Sequence, residues 1–507
     1  MSGRLLGPAG LGSLRALGPL LFLAAFAALK ISFGILICDD AYITLAHARS
    51  WNAGLGPIMS ALNPVCATST PLHTMVLAAE AALLRSHDYV PLAYFTNLAW
   101  DLLGLAFLHR IASRGLRMAP PYALAATAAY ALSVNFLAVS AYGMETPMYA
   151  ALALAGTWFA LYSPRPMPGL LAVSFLAPLA RPEGALLPAA LVLLNLRKDR
   201  IWRRAFACAG AAALGFAAFF AFYRYAYGHW LPHSVVAKRL EIHVGFADAL
   251  YSWILNVFYK GPSLGGVTAV TLANLLAMAG AAAGFRRARR ADGIPWELLA
   301  WPGLYFLFFI ATRSSYILFT WYYLPVLPFL LVFIVCGLER LAAGRLGESA
   351  AWALVFAFLA LVPWQTHRQK LPAKHRFAEE AREGRYREAA RILDSIAGPS
   401  GHPLVMIDEV GALGYYSTKI RILDSHGLLS PEALPYLAGG PDTYFTRMAA
   451  MQDKFDPEWI LAMRLLQDEG QWHIGEDGLF SGYEIKYILR RPPHGYNFEM
   501  WRRTRAE

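Results

Sequence analysis

Charge is scarce in this sequence. Only 16% of its 507 residues are charged while 57% are apolar, and its mean hydropathy is positive, a balance that excludes an ordinary soluble enzyme. Cysteine is scarcer still. Four cysteines and no C-x-x-C spacing do not make a disulfide scaffold. Internal repeats and low-complexity tracts are missing, and the tail from about residue 366 onward has no spacing typical of a metal, nucleotide or nucleophile motif. Acidic residues are outnumbered, 34 against 45 Lys and Arg, but the resulting +11 charge does not point to nucleic acid. The basic residues sit in short clusters between apolar runs rather than in one stripe with interleaved aromatics.

What is present is apolar length. A run of about 20 apolar residues spans a bilayer core as a helix, and such runs recur from residue 16 to about residue 365. Eleven candidate spans fall at roughly 16 to 37, 90 to 109, 119 to 141, 145 to 163, 167 to 180, 183 to 196, 204 to 228, 252 to 285, 296 to 312, 318 to 339 and 348 to 365. The first follows Arg4 and Arg15, lacks a small-residue cleavage site and runs into an Asp pair, so it reads as a retained helix. With the N-terminus cytoplasmic, the inside loops carry Arg110, Arg114, Arg117, Arg165, Arg197 to Arg204, Arg286 to Arg290, Arg340 and Arg345. That alternation follows the positive-inside rule and puts the tail outside. Residues 71 to 84 contain Glu80 and would break the alternation by crossing, so they read as an interfacial helix within an outer loop, 38 to 89.

The division expected is a helical membrane domain over 1–365 and a small extracytoplasmic α/β domain over 366–507. In the tail, LVMID at 404 to 408 and YEIKYIL at 483 to 489 have strand length and character. The preceding stretch AKHRFAEEAREGRYREAARILDSI has helical spacing. Cys38 and Cys66 flank the first polar loop and could pair there or remain small unpaired residues; Cys208 and Cys336 lie in apolar runs and read as packing.

Chemistry-bearing residues gather on the outer face. Asp39 and Asp40 follow directly on the first span, with His47 and Arg49 close behind. Adjacent carboxylates at a membrane boundary are costly unless hydrated or used. As a polar stop they would need no partner; as chemistry, one could take the proton of an attacking hydroxyl while its neighbour orients it. The same face receives Glu145, Arg181 and Glu183, then His233, Lys238 and Arg239, then Arg313, Trp321, Tyr322 and Tyr323. Singly, a cation at a helix end is a snorkelling anchor and the aromatics an interfacial belt. Together they could hold a phosphate and pack on a sugar ring or isoprenoid chain. Asp101, mid-span, reads as an interior hydrogen-bond partner.

The strings DDAYITLAHARSWNAGLG, TSTPLHTMVLA, GMETPMYAALAL, ARPEGALL and GHWLPHSVVAKR, in that order, resemble the GT-C superfamily of polyprenyl-phosphate-sugar-dependent glycosyltransferases. Within it the chain looks most like the branch of mycobacterial terminal arabinofuranosyltransferases, and EVGALGYYSTKIRILDSHGLLSP extends the likeness into the tail. Where this chain has His233 and Ser234, the related pattern has Asn and Thr.

The resemblance implies a polytopic α-helical fold in a bacterial plasma membrane, with the active site under an outer loop. It also implies Asp39 or Asp40 as general base and an inverting transfer from a polyprenyl monophosphate sugar to a glycan hydroxyl. No cofactor is required by it, and a divalent cation is left open. The expected partners are the lipid-linked donor, the glycan acceptor and the bilayer. A transferase acting on lipid-linked glycan or lipopolysaccharide is a competing reading within the family. Outside it stand a transporter or flippase, which should show paired broken helices and midplane charges, and a scaffold, in which the Asp pair would be dispensable.

Overall fold

The computed structural model describes residues 8–199, 202–240, 245–250, 278–286, 295–312, 319–342, 382–397, 401–437, 444–465, 481–489 and 496–504. The apolar runs within these limits are helical. Helix α1 (Pro8–Phe33) leads through a turn at Gly34 into α2 (Asp39–Asn52), which begins on the Asp pair. Helix α3 (Pro71–Leu84) occupies the segment expected to lie at the interface, and α4 (Tyr89–Arg110) follows. Asp88 caps α4 by accepting the amide of Val90.

Residues 119 to 141 form two helices rather than one span: α5 (Pro120–Ala131) and α6 (Val134–Ser140). The break has a local cause, because the Ser133 hydroxyl accepts the amide of Phe136 and so starts a new helix. Helices α7 (Thr146–Leu161), α8 (Met167–Ala180), α9 (Leu186–Asp199), α10 (Trp202–Tyr227) and α11 (His233–Leu240) complete the first half. Helices α12 (Ala300–Thr312) and α13 (Leu327–Leu341) follow the second. The expected span at 348 to 365, and most of that at 252 to 285, lie outside the described residues.

Helix α7 is the hub. Its alanines let α4, α8 and α9 pack against it closely, and its residues from Thr146 to Thr157 are buried. Helix α10 is the opposite case, packed on α8 and α9 but leaving Phe206, Leu214 and Phe220 exposed. The stretch Tyr89–Gly115 and helix α10 are each long and apolar enough to cross a membrane. Exposed phenylalanine and leucine on such a helix are at home against lipid. Asp101 does face inward, where it forms a fully buried ion pair with Lys30 of α1.

The tail is a β-sheet domain. Strands β1 (Leu404–Ile407) and β4 (Tyr483–Leu489) coincide with the two strings expected to be extended. With β2 (Arg421–Asp424), β3 (Trp459–Leu465) and β5 (Tyr496–Arg503) they form one sheet in the order β2-β1-β3-β5-β4. The β1 pairings with β2 and β3 are parallel; β5 pairs antiparallel with β3 and β4. Helix α14 (Arg382–Ala397) covers one face, and the short helix α15 (Gly411–Tyr416) follows β1. One apolar cluster runs unbroken from Ile37, Ala41 and Leu45 into Leu393, Leu413 and Trp459. The sheet domain is therefore seated on α2.

Candidate functional site

The two adjacent carboxylates face different surroundings. Asp39 is buried, and its two oxygens accept the amides of Gly411 (2.8 Å) and Ala412 (2.7 Å), the first two of α15. Those donors are free in any helix, and an anion at this end complements the helix dipole. Asp40 is partly exposed and acts electrostatically on Lys238 and Tyr322.

Lys238 reaches this site from α11, which is anchored from two sides. The His233 amide donates to the Cys66 carbonyl (3.1 Å), and the His233 ring meets the backbone of Gly427 and Ser430. Lys238 shares a hydrogen bond with Tyr322. Burial pushes its ammonium down, but Tyr322, Asp40 and Glu183 outweigh that and hold it above its ordinary range. It is a cation at any physiological pH. Arg239, one residue on, is exposed.

Arg181 has a different environment. It ends α8 in an extended conformation, and its guanidinium is buried between Glu145 (Nε to Oε1, 2.9 Å) and Glu183 (Nη1 to Oε1, 3.3 Å). Nη1 also donates to the Tyr305 hydroxyl (3.3 Å), while the rings of Tyr149 and Tyr322 lie 5.8 and 4.9 Å from the guanidinium carbon. The turn that delivers Glu183 requires glycine next to it, since a Cβ on Gly184 would stand 1.9 Å from the Ala177 carbonyl oxygen. Glu145 sits at the start of α7 after a left-handed Gly143, whose carbonyl is 3.1 Å from His73 Nε2.

The remaining expected residues divide clearly. Tyr322 joins the two cations, Tyr323 is buried beneath it, and Trp321 stacks on Phe319 at 4.5 Å and meets Tyr142 edge-on. His47 is not brought to the site. Its Nδ1 lies 2.6 Å from the Ile43 carbonyl and its Nε2 accepts the Ala67 amide, so it braces the outer loop against α2. Burial lowers its pKa to about 4. Arg49 instead grips the sheet domain, donating to the Tyr415 carbonyl (2.6 Å) and lying over that ring. Arg313 lies outside the described residues. No disulfide joins Cys38 and Cys66. Among the described residues no group of three His, Cys, Asp or Glu could hold a metal ion.

A family model described as a domain of unknown function (DUF8728) matches residues 375–501, the sheet domain. No curated protein matches. Solved structures do. The crystal structure of ArnT from Cupriavidus metallidurans bound to undecaprenyl phosphate aligns with a TM-score of 0.54 at 14% identity, covering 97% of this chain and 98% of that one. Its apo form gives 0.54 at 16%, covering 96% and 98%. The single-particle cryo-EM structure of arabinofuranosyltransferase AftD from Mycobacteria gives 0.54 at 15%, covering 96% of this chain and 40% of that chain. The fold is the one these structures share. It is largely helical, with a C-terminal sheet domain.

Tyr149, Tyr305, His73 and Gly411 are the site's unforeseen members. Tyr305 lies within an apolar run and carries no signal of its own, whereas Gly411 stands in one of the motif strings without a role that spacing could assign.

Proposed function

We propose that this chain is a membrane glycosyltransferase. It moves a sugar from a polyprenyl monophosphate donor to a hydroxyl of a cell-envelope glycan, with inversion, on the extracytoplasmic face of a bacterial plasma membrane. The observation that carries this reading is the juxtaposition of Asp40, Lys238 and Tyr322, one accessible carboxylate beside one cation. Undecaprenyl phosphate bound to ArnT supports the donor class, and AftD's description as an arabinofuranosyltransferase supports arabinofuranose as the sugar. The basic inside loops support the orientation, with about eleven spans and the sheet domain outside.

The chemistry balances on these groups. Asp40 takes the proton from the acceptor hydroxyl, whose oxygen bonds to the anomeric carbon as the bond from that carbon to the phosphate oxygen breaks. The donor phosphodiester leaves as a phosphate monoester with one more negative charge. Protonation of Asp40 removes the counter-charge of Lys238 in the same step, leaving the ammonium to stabilise the departing phosphate. No general acid is needed. Trp321 and Tyr322 offer aromatic faces to the sugar or the isoprenoid chain.

The test is transfer of radiolabelled sugar from a panel of polyprenyl-phosphate donors by the purified protein in detergent. Asp40→Asn is expected to lower the rate by about 10²–10⁴-fold with the melting temperature kept. Wild-type protein inactive with every donor, or full rate in both Asp40→Asn and Asp39→Asn, would sink the reading.

A further inference from the structure

The sheet domain touches both halves of the site at once. Its helix α15 meets α2 through Asp39, at 2.8 and 2.7 Å from the Gly411 and Ala412 amides. Its segment after β2 meets α11 through the Gly427 and Ser430 backbone and the ring of His233, which starts the helix that carries Lys238. The approach at Asp39 is as close as backbones allow. A Cβ on Gly411 would stand 1.8 Å from the Asp39 carbonyl oxygen, so glycine alone fits there. Asp39 and Asp40 share a peptide unit at the first turn of α2, so whatever orients Asp39 orients Asp40.

The geometry points to Asp39, Gly411 and Ala412 as positioning residues: the sheet domain uses the start of α15 to clamp Asp39 and thereby aims Asp40 at the reacting hydroxyl. This rests on the transferase reading and assigns the paired carboxylates separate tasks, one reacting and one clamped. A buried carboxylate that already accepts two amides is a poor proton acceptor, because hydrogen bonds to its charged form stabilise that form. A shift of about 1 Å at a reacting group costs about 10²-fold in rate. Loosening the clamp should therefore act on turnover and leave donor binding at Lys238 alone.

Three variants of the full chain test this in detergent: Asp39→Asn, Gly411→Ala and Ala412→Pro. The last removes one amide donor at a position in the first helical turn where proline is tolerated, so it loosens the clamp with least risk to folding. Each is expected to lower kcat by about 10–100-fold with the donor KM near its wild-type value. The Asp39→Asn/Gly411→Ala double variant should be no slower than its slower parent. A purely structural contact would instead lower the amount of active protein, read by active-site titration, and keep kcat per active site. That result, wild-type kcat in all three, or losses that multiply in the double variant, would overturn the inference. So would Asp39→Asn dead beside an active Asp40→Asn, which would make Asp39 the base and keep the transferase. Wild-type protein inactive with every donor is distinguishable from these, since it removes the transferase reading first and this inference with it.

Discussion

Two cation-carboxylate groups meet at Tyr322, and they are built differently. Around Arg181, two carboxylates, the Tyr305 hydroxyl and two rings enclose one guanidinium that is 3% exposed. Around Lys238, the groups that act on the ammonium are Tyr322, Asp40 and Glu183, on a residue of intermediate exposure. A bidentate guanidinium is the usual choice for phosphate, yet here its partners are already inside the fold. The difference teaches that a charged residue's task follows from which groups surround it. Arg181 reads as a keystone joining α7, α8 and α12, while Lys238 stands beside Asp40, the solvent-open member of the Asp pair.

The sharpest way to break this contrast is to remove the keystone. Arg181→Met would leave Glu145 and Glu183 buried without their cation, at a cost of about 3–5 kcal/mol. A thermal melt in detergent should show a large drop, and an unchanged melting temperature would erase the distinction. Next in size, Lys238→Met should leave the melt near wild type while lowering transfer about 10²–10³-fold. Equal melting losses for the two variants would mean that both cations are scaffold.

His47 sharpens the comparison through pH. Burial holds the imidazole neutral in the fold, with its pKa at about 4, against about 6.5 in the unfolded chain. Its contribution is complete above about pH 6.5 and is lost as pH falls toward 4, to a total of about 3 kcal/mol. His47→Gln should flatten that part of the stability profile; an unaltered acid limb would contradict the burial. Smallest of all, Trp321→Ala should raise the donor KM less than tenfold, as expected for one aromatic contact worth about 0.5–1.5 kcal/mol.

Much of the architecture was legible because its cause is local. Apolar length marked the helices, and short apolar strings of strand length marked β1 and β4 at their observed positions. Ser133 also carries a local signal, an N-cap type of residue, yet the apolar run around it hid the break between α5 and α6. In the site, Asp40, Arg181, Lys238 and Tyr322 were all expected on the outer face from the loop charges, and the fold brings their side chains near one another. Their division of labour was not legible. Whether Arg181 is saturated depends on Tyr149 and Tyr305, which look like any aromatic in a span. Whether Asp39 or Asp40 is available depends on a glycine hundreds of positions away. His47 and Arg49 stood near the Asp pair in sequence, but about two turns of α2 carry them toward the outer loop and the sheet domain instead.

The bonds between Asp39 and the start of α15 join residues 372 and 373 positions apart. A ribosome delivers the N-terminal helices first. Helix α2 is thus made long before Gly411 leaves the exit tunnel, and until then Asp39 lacks its two amide partners. On the proposed clamp, completion of the sheet domain is the arming step, so truncated products that insert normally would be silent.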